Sequence, residues 1–227
     1  MVRWVWATLS RFWETEKSLS VLLVLLVAFG LVVPPLVPDA GPGVQRPVLD
    51  VVFSLLLVAG IVAVWGEGPR SFRAVMVFGV VAMPVRWAAL AYPGRAMAFW
   101  SVATAVVALA VLGFVVLAKV LRPGLITSYR IQGAVAAYLL LGLVWAGVYE
   151  CLALYDPSAF TGTGSVASSE WIYFSFVTLT TIGYGDISPL HPVARSLAVA
   201  ESLTGQLYLA ILISRLVALE LESRRTG

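Results

Sequence analysis

Residues 178–186 read Thr-Leu-Thr-Thr-Ile-Gly-Tyr-Gly-Asp and sit between a short apolar run and a long one. Gly183 and Gly185 can take left-handed dihedrals at no side-chain cost, so a strand that alternates ordinary and left-handed conformations is open to this segment. Such a strand turns its successive carbonyls toward one axis. Thr181 adds a hydroxyl at the inner end, while Ile182 and Tyr184 point away from the axis, where they wedge against surrounding helices. Gly-x-Gly alone is a weak pattern, equally at home in a glycine-rich turn between two membrane helices. The specificity comes from the whole nonapeptide, with Thr180 and Thr181 before the glycines, an aromatic between them, Asp186 after them and apolar segments on both sides.

Apolar segments dominate the chain. Of 227 residues, 60% are hydrophobic and 12% charged, with a mean hydropathy of +0.95; a soluble domain carries roughly twice that charged share. Inside a membrane, taking water off a small cation costs on the order of tens of kcal/mol unless other oxygens replace the hydration shell. Backbone carbonyls can be those oxygens. The chain holds one copy of the segment, so a closed ring needs several chains about one axis. The net charge of +3 comes from basic residues scattered between apolar runs, which form no nucleic-acid patch. A membrane enzyme needs convergent acid, base, metal or nucleophile groups. The chain offers one histidine, His191, which reads as an exposed loop residue, and one cysteine, Cys151, which reads as a small apolar filler. A secondary transporter needs inverted repeats, and no second copy of residues 178–186 occurs. No short apolar core precedes a small-residue cleavage site at the N-terminus, so no removable signal is expected.

A helix of about 20 apolar residues spans a bilayer core. Six segments approach that length: about 18–37, 47–65, 71–92, 96–121, 129–155 and 192–219. Residues 1–17, rich in tryptophan, read as an amphipathic helix in the membrane interface or, alternatively, as a partner-binding helix. Residues 220–227 remain as a short cytosolic tail, too few for a large ligand-sensing domain. Placing both termini in the cytosol puts 11 of the 15 basic residues inside, in keeping with the positive-inside bias. It also sets residues 178–186 in the outer half of the membrane.

Between the fifth and sixth segments, residues 156–167 are rich in Gly, Ser and Thr and read as a mobile outer loop. Ser168 or Ser169 caps a short helix over about 170–179. It is too short to span, but long enough to enter from outside and return as extended chain, which is tolerated only where protein surrounds it. Its C-terminus points inward, so its dipole favours a cation there. Residues 181–185, at about 3.3 Å each, cover roughly half the hydrocarbon thickness, leaving a water-filled cavity for the rest.

Three ionisable features stand out elsewhere. From Ala96 to Ala118 the fourth segment has no arginine or lysine. A field does about 2.3 kcal/mol of work on one charge per 100 mV, so this helix is not expected to sense voltage in the usual way. Asp50 in the second segment and Arg86 in the third fall near the outer face and are placed to pair across helices. Glu201 lies about eight residues into the last segment, where an ionisable group is costly. It reads as a brace behind the glycine segment, bonding Ser175, Thr178 or the short helix backbone, or as a satisfied interhelical hydrogen bond with no regulatory role.

The run from Trp171 to Asp186, Trp-Ile-Tyr-Phe-Ser-Phe-Val-Thr-Leu-Thr-Thr-Ile-Gly-Tyr-Gly-Asp, resembles the pore helix and selectivity filter of prokaryotic potassium channels. Residues 149–219 are similar to the pore region of the superfamily with six transmembrane helices per subunit; the first four helices share only their count and hydropathy. The resemblance implies an all-α membrane protein with six transmembrane helices plus a re-entrant pore helix and extended filter, assembled as a homotetramer; the many Ala, Val and Trp residues and compact loops read as bacterial, which places it in a cytoplasmic membrane. A sensor-like domain without gating charges covers 18–121 and a pore domain covers 122–219. Potassium is the implied permeant ion, bound at Thr181, Ile182, Gly183, Tyr184 and Gly185, with no cofactor, soluble ligand or nucleic acid. The alternatives are a non-selective cation channel and a regulatory or non-conducting subunit. In relatives two pore-helix aromatics form a cuff with the filter tyrosine, and they fall here on Tyr173 and Phe174. An acidic pore-helix residue of some relatives is replaced by Val177. Filter support is expected from Thr180, Asp186, Tyr173, Phe174, Thr178, Glu201 and Glu150, the last resembling a position that anchors the outer start of the last helix. Gly205 falls at the family's glycine hinge; the alternative there is close helix packing.

Overall fold

The computed structural model describes residues 17–33, 42–64, 69–122, 128–162 and 168–226. The expected interfacial helix, apart from Lys17, lies outside the described residues. Apolar runs with few interior breakers build seven helices among the described residues: α1 (Lys17–Val27), α2 (Pro42–Ala63), α3 (Pro69–Ala91), α4 (Arg95–Val120), α5 (Ser128–Tyr155), α6 (Ser168–Leu179) and α7 (Pro192–Thr226). Alpha geometry in α1 gives way to a π-helical turn over Ala28–Val32. Pro47 in α2 and Pro84 in α3 each remove one backbone donor, and both helices run on past them. Tyr92, Pro93 and Gly94 separate α3 from α4.

Four helices are long and apolar enough to cross a membrane, within Pro69–Ala91, Arg95–Val120, Tyr129–Tyr155 and Pro192–Arg215; the apolar helices Ser18–Val32 and Pro47–Ala63 are shorter. Together with the composition they mark a membrane protein. The last helix corrects one boundary, because the expected tail after residue 219 continues helical to Thr226. Nothing in its sequence stops it: Glu220 to Thr226 contain neither proline nor glycine.

α1, α2, α3 and α4 pack in sequence, and α1 and α4 both lie against α5. The buried surface between them is aliphatic, with Leu22, Leu26, Leu56, Leu112 and Leu140 almost fully enclosed. Polar ties hold the ends of these helices. Ser20 of α1 donates to Gln132 of α5, Lys119 of α4 donates to the Ala63 carbonyl at the end of α2 at 3.3 Å, and Arg215 of α7 donates to the Leu121 carbonyl just after α4. The short α6 is wedged between α5 and α7. Two two-residue strands, β1 (Phe160–Thr161) and β2 (Ser188–Pro189), pair antiparallel across the end of the extended segment. The first half of the expected mobile loop is therefore structured.

Candidate functional site

The chain leaves α6 as an extended segment whose amides are pinned to the helix it has just left. Ile182 and Gly183 both donate to the Val177 carbonyl, at 2.9 and 3.3 Å, and Thr181 donates to the Thr178 carbonyl at 3.0 Å. Positive φ values fall at alternate residues: 61° at Thr181, 62° at Gly183 and 80° at Gly185. The glycine positions are those expected from the sequence. Thr181 is not, since a β-branched residue in this region carries about 1–3 kcal/mol of strain. Its amide bond and a contact from Gln206 Nε2 to its Oγ1 at 3.3 Å hold it there. A side chain added at Gly183 or Gly185 would meet nothing within 4 Å, and residues 180–186 are all exposed in the single chain.

At the outer end Tyr173 stacks on Tyr184, with ring centroids 6.5 Å apart and planes 2° from parallel. Its hydroxyl donates to Asp186 Oδ2 at 2.7 Å. That hydrogen bond holds the Asp186 carboxyl below the usual carboxylate range. The tie is complete above the ordinary carboxylate pKa and is lost as pH falls through the depressed one. Tyr173→Phe is therefore expected to let Asp186 protonate at higher pH, read as an upward shift of its carboxyl titration in isotope-edited infrared spectra; an unmoved midpoint would contradict the contact. Gly185's carbonyl accepts from Ser188 Oγ at 3.1 Å. Gly162, with φ +84°, lies so close beneath that an added Cβ would fall 1.8 Å from the Asp186 carbonyl oxygen. The sequence reading passed over this glycine because it stands among other loop-forming residues.

Phe174 departs from the expected cuff. It turns away from Tyr184 into an aromatic cluster, 4.8 Å from Tyr149 and 5.6 Å from Phe160, because α6 places successive residues about 100° apart and Tyr173 already occupies the side that faces Tyr184. Ile182 and Tyr184 are 54% and 70% exposed, so the helices they were expected to wedge against are not supplied by this one chain, beyond Tyr173.

Behind α6, Glu201 is completely buried. Ser175 Oγ donates to its Oε1 and Tyr149 OH to its Oε2, both at 2.5 Å. Glu201 thus joins α5, α6 and α7, as the brace reading expected for Ser175. Ser175 Oγ also lies 2.7 Å from the Gly142 carbonyl, and Gly142 has no room for a side chain because Phe176 would sit 2.7 Å from its Cβ. Thr178 is tied differently, its carbonyl accepting from Ser202 Oγ at 3.1 Å. Thr180 Oγ1 bonds back to the Phe176 carbonyl at 2.5 Å. Tyr149 was missed in the sequence, where attention fell on the charged neighbour Glu150. Glu150 accepts from Ser168 Oγ at 2.8 Å and so ties α5 to the start of α6, where the sequence reading had it anchor the last helix. At that helix start, His191 is exposed and its Nδ1 accepts from the Val193 amide at 3.2 Å.

Gly205 lies against the end of α6. A Cβ there would lie 2.4 Å from the Leu179 carbonyl oxygen, a backbone atom that cannot yield as a side-chain tip could. Gly205→Ala is expected to destabilise the fold by about 3 kcal/mol, measured by thermal unfolding in detergent. Retained stability with altered channel opening would instead favour the hinge.

Residues 135–221 match a family model described as an ion channel. The matched residues include Tyr149, all of α6, the extended segment, Glu201 and Gly205, and leave Asp50 and Arg86 outside. The chain is similar to Protein LctB of Bacillus caldotenax, 33% identical over 87 residues, covering 35% of this chain and 64% of that protein. It is 34% identical over 80 residues to Two-pore potassium channel 4 of Arabidopsis thaliana, covering 35% of this chain and 28% of that one. A third relative, Two pore potassium channel c of Oryza sativa subsp. japonica, is 37% identical over 88 residues, covering 38% and 18% respectively. The matches thus span less than two thirds of each relative. No solved structure matches.

Proposed function

We propose that this chain is the subunit of a potassium-selective channel, in which four copies surround one axis and the ion passes in single file through residues 181–185. The observation that carries the reading is the left-handed alternation at Thr181, Gly183 and Gly185, lying in an exposed strand within the ion-channel segment. Carbonyls of Thr181, Ile182, Gly183 and Tyr184, with the Thr181 hydroxyl, replace the hydration shell that the ion leaves behind. The C-terminus of α6 adds a favourable dipole at the inner end. The names of the plant relatives support potassium as the ion, and the reading is of a channel rather than an enzyme.

In this reading α6 is the pore helix and α7 the pore-lining helix, with six membrane segments, both chain ends cytosolic and the filter opening outward in a cell membrane. The clasp of Gly205 on Leu179 favours a packing role there over a hinge. α1 to α4 form the sensor-like domain, and α4 carries no charge between Arg95 at its first position and Lys119 near its end, so conduction depends little on voltage. The test is ion flux into liposomes holding the full-length chain. Potassium uptake that barium blocks, that sodium does not share and that Gly185→Ala abolishes is the expected result. Equal sodium and potassium uptake would make it a non-selective cation pore.

A further inference from the structure

At the end of the molecule where α5 stops and α6 and α7 begin, one acidic oxygen has no donor. Oε2 of Glu170, in the first turn of α6, is closed off from solvent and accepts no hydrogen bond among the described residues. The positive end of the α6 dipole lies beside it, but favours the charge less than a missing buried donor disfavours it. Glu170 lines an apolar groove of about 670 Å³ together with Leu31, Tyr138, Phe176 and Ile182, so one groove joins the first turn of α6 to the extended segment. α7 carries a matching surface. Val199, Leu203, Leu207 and Ile211, four residues apart and so along one side of the helix, are 58% to 60% exposed. One more step back along that side reaches Arg195, in the first turn. Its Nε donates to the Pro189 carbonyl at 3.2 Å, which leaves the terminal nitrogens of the guanidinium without a partner among the described residues. The other described arginines at this end are committed: Arg86 to Asp50, and Arg95 to the Leu154 and Tyr155 carbonyls at 2.6 and 3.0 Å. Within one chain Arg195 and Glu170 are not paired.

We infer that Arg195 and Glu170 meet between copies of the chain: the α7 stripe of one copy lies in the α6 groove of the next, clasped at its outer end by an Arg195–Glu170 ion pair. The inference rests on the channel reading, which supplies the ring of copies, and adds the charged pair that sets how neighbours register. Groove and stripe are different surfaces of the chain, so the contact is heterologous and repeats until the ring closes. In a membrane, apolar surfaces gain little from leaving lipid, so packing along a smooth aliphatic stripe selects its register weakly. A desolvated ion pair selects it strongly, because sliding α7 by one turn would strand both charges. The pair also braces α6 one turn before Tyr173, whose ring stacks on Tyr184 and whose hydroxyl holds Asp186.

The test is the lifetime of the full-length oligomer in mixed lipid and detergent micelles, for the natural chain, Glu170→Arg, Arg195→Glu and the double reversal. Each single reversal sets like charges against each other and is expected to speed dissociation about tenfold, whereas the double reversal should return to within about threefold of the natural rate. Glu170→Cys with Arg195→Cys, in a Cys151→Ser background and joined by a short bis-maleimide, is expected to give a ladder of covalent oligomers in place of a cross-linked monomer. Should a reversed chain not assemble, Glu170→Gln and Arg195→Gln, singly and together, serve instead, and their losses are expected not to add. Additive losses, a double reversal no better than the single ones, or cross-links absent or confined to one chain would overturn the clasp and leave the channel reading intact. So would a lifetime that follows the phosphatidylethanolamine content and ignores Arg195, which would give Glu170 to a lipid ammonium group. A natural chain that stays monomeric in the micelles would overturn the channel reading itself.

Discussion

Replacing Glu201 with leucine is expected to lower the stability of the folded chain by about 3–4 kcal/mol, the largest loss of any single change near the extended segment. The carboxylate is fully buried and accepts two short hydroxyl bonds, from Ser175 and Tyr149. Leucine fills comparable space but leaves the Tyr149 hydroxyl without an acceptor, and a buried donor so stranded costs about 1–3 kcal/mol. Ser175 is partly rescued, because the Gly142 carbonyl is 2.7 Å away. The rest of the loss comes from the three-helix junction, where one network serves α5, α6 and α7 together. For a chain of this size the melting temperature should fall by about 10 °C. Glu201→Gln, which keeps one acceptor oxygen, should recover more than half of that loss. A double-mutant cycle with Tyr149→Phe measures the coupling; additive losses would show that the two residues do not share a network.

Arg86→Leu is the second large effect, about 3–5 kcal/mol. Asp50 is buried and its Oδ1 lies 2.5 Å from an Arg86 terminal nitrogen and 2.7 Å from Nε. The guanidinium also sits 4.5 Å above the Phe53 ring. Removing the arginine leaves a buried carboxylate unpaired, whereas removing both charges with Asp50→Leu and Arg86→Leu leaves an apolar contact and should cost less than Arg86→Leu alone. Arg86→Lys keeps the charge but loses the planar fork and the stacking, so it should fall between the two. Unfolding in detergent decides the order. A double variant less stable than Arg86→Leu would mean that the pair is not what holds Asp50. The cavity of about 50 Å³ beside the pair is also lined by Glu150 and Ser168, so the loss is expected to reach the start of α6.

How much of this was legible in the sequence depends on how local each feature is. The glycines of the extended segment could be placed because left-handed backbone is a property of the residue itself. The Asp50–Arg86 pair was legible because two charges in apolar helices have few ways to be satisfied, and the same scarcity made Glu201 conspicuous. Tyr149 was not, since tyrosine is common in membrane helices and its role appears only when α7 brings Glu201 to it. Thr181 escaped for the opposite reason: its own preference argues against a positive φ, and its neighbours override it. Phe174 was misplaced because two adjacent aromatics were given one role, although a helix turns them to different sides. Gly205 reads as hinge or as packing from the sequence, and the Leu179 carbonyl that lies against it is visible only in the fold.

The most direct test of the central claim is the reversal potential of the reconstituted channel with potassium on one side of a planar bilayer and sodium on the other. A strongly displaced reversal potential toward the potassium equilibrium value, with little change in open probability across voltages, is the predicted result. A reversal potential near zero would contradict potassium selection by residues 181–185.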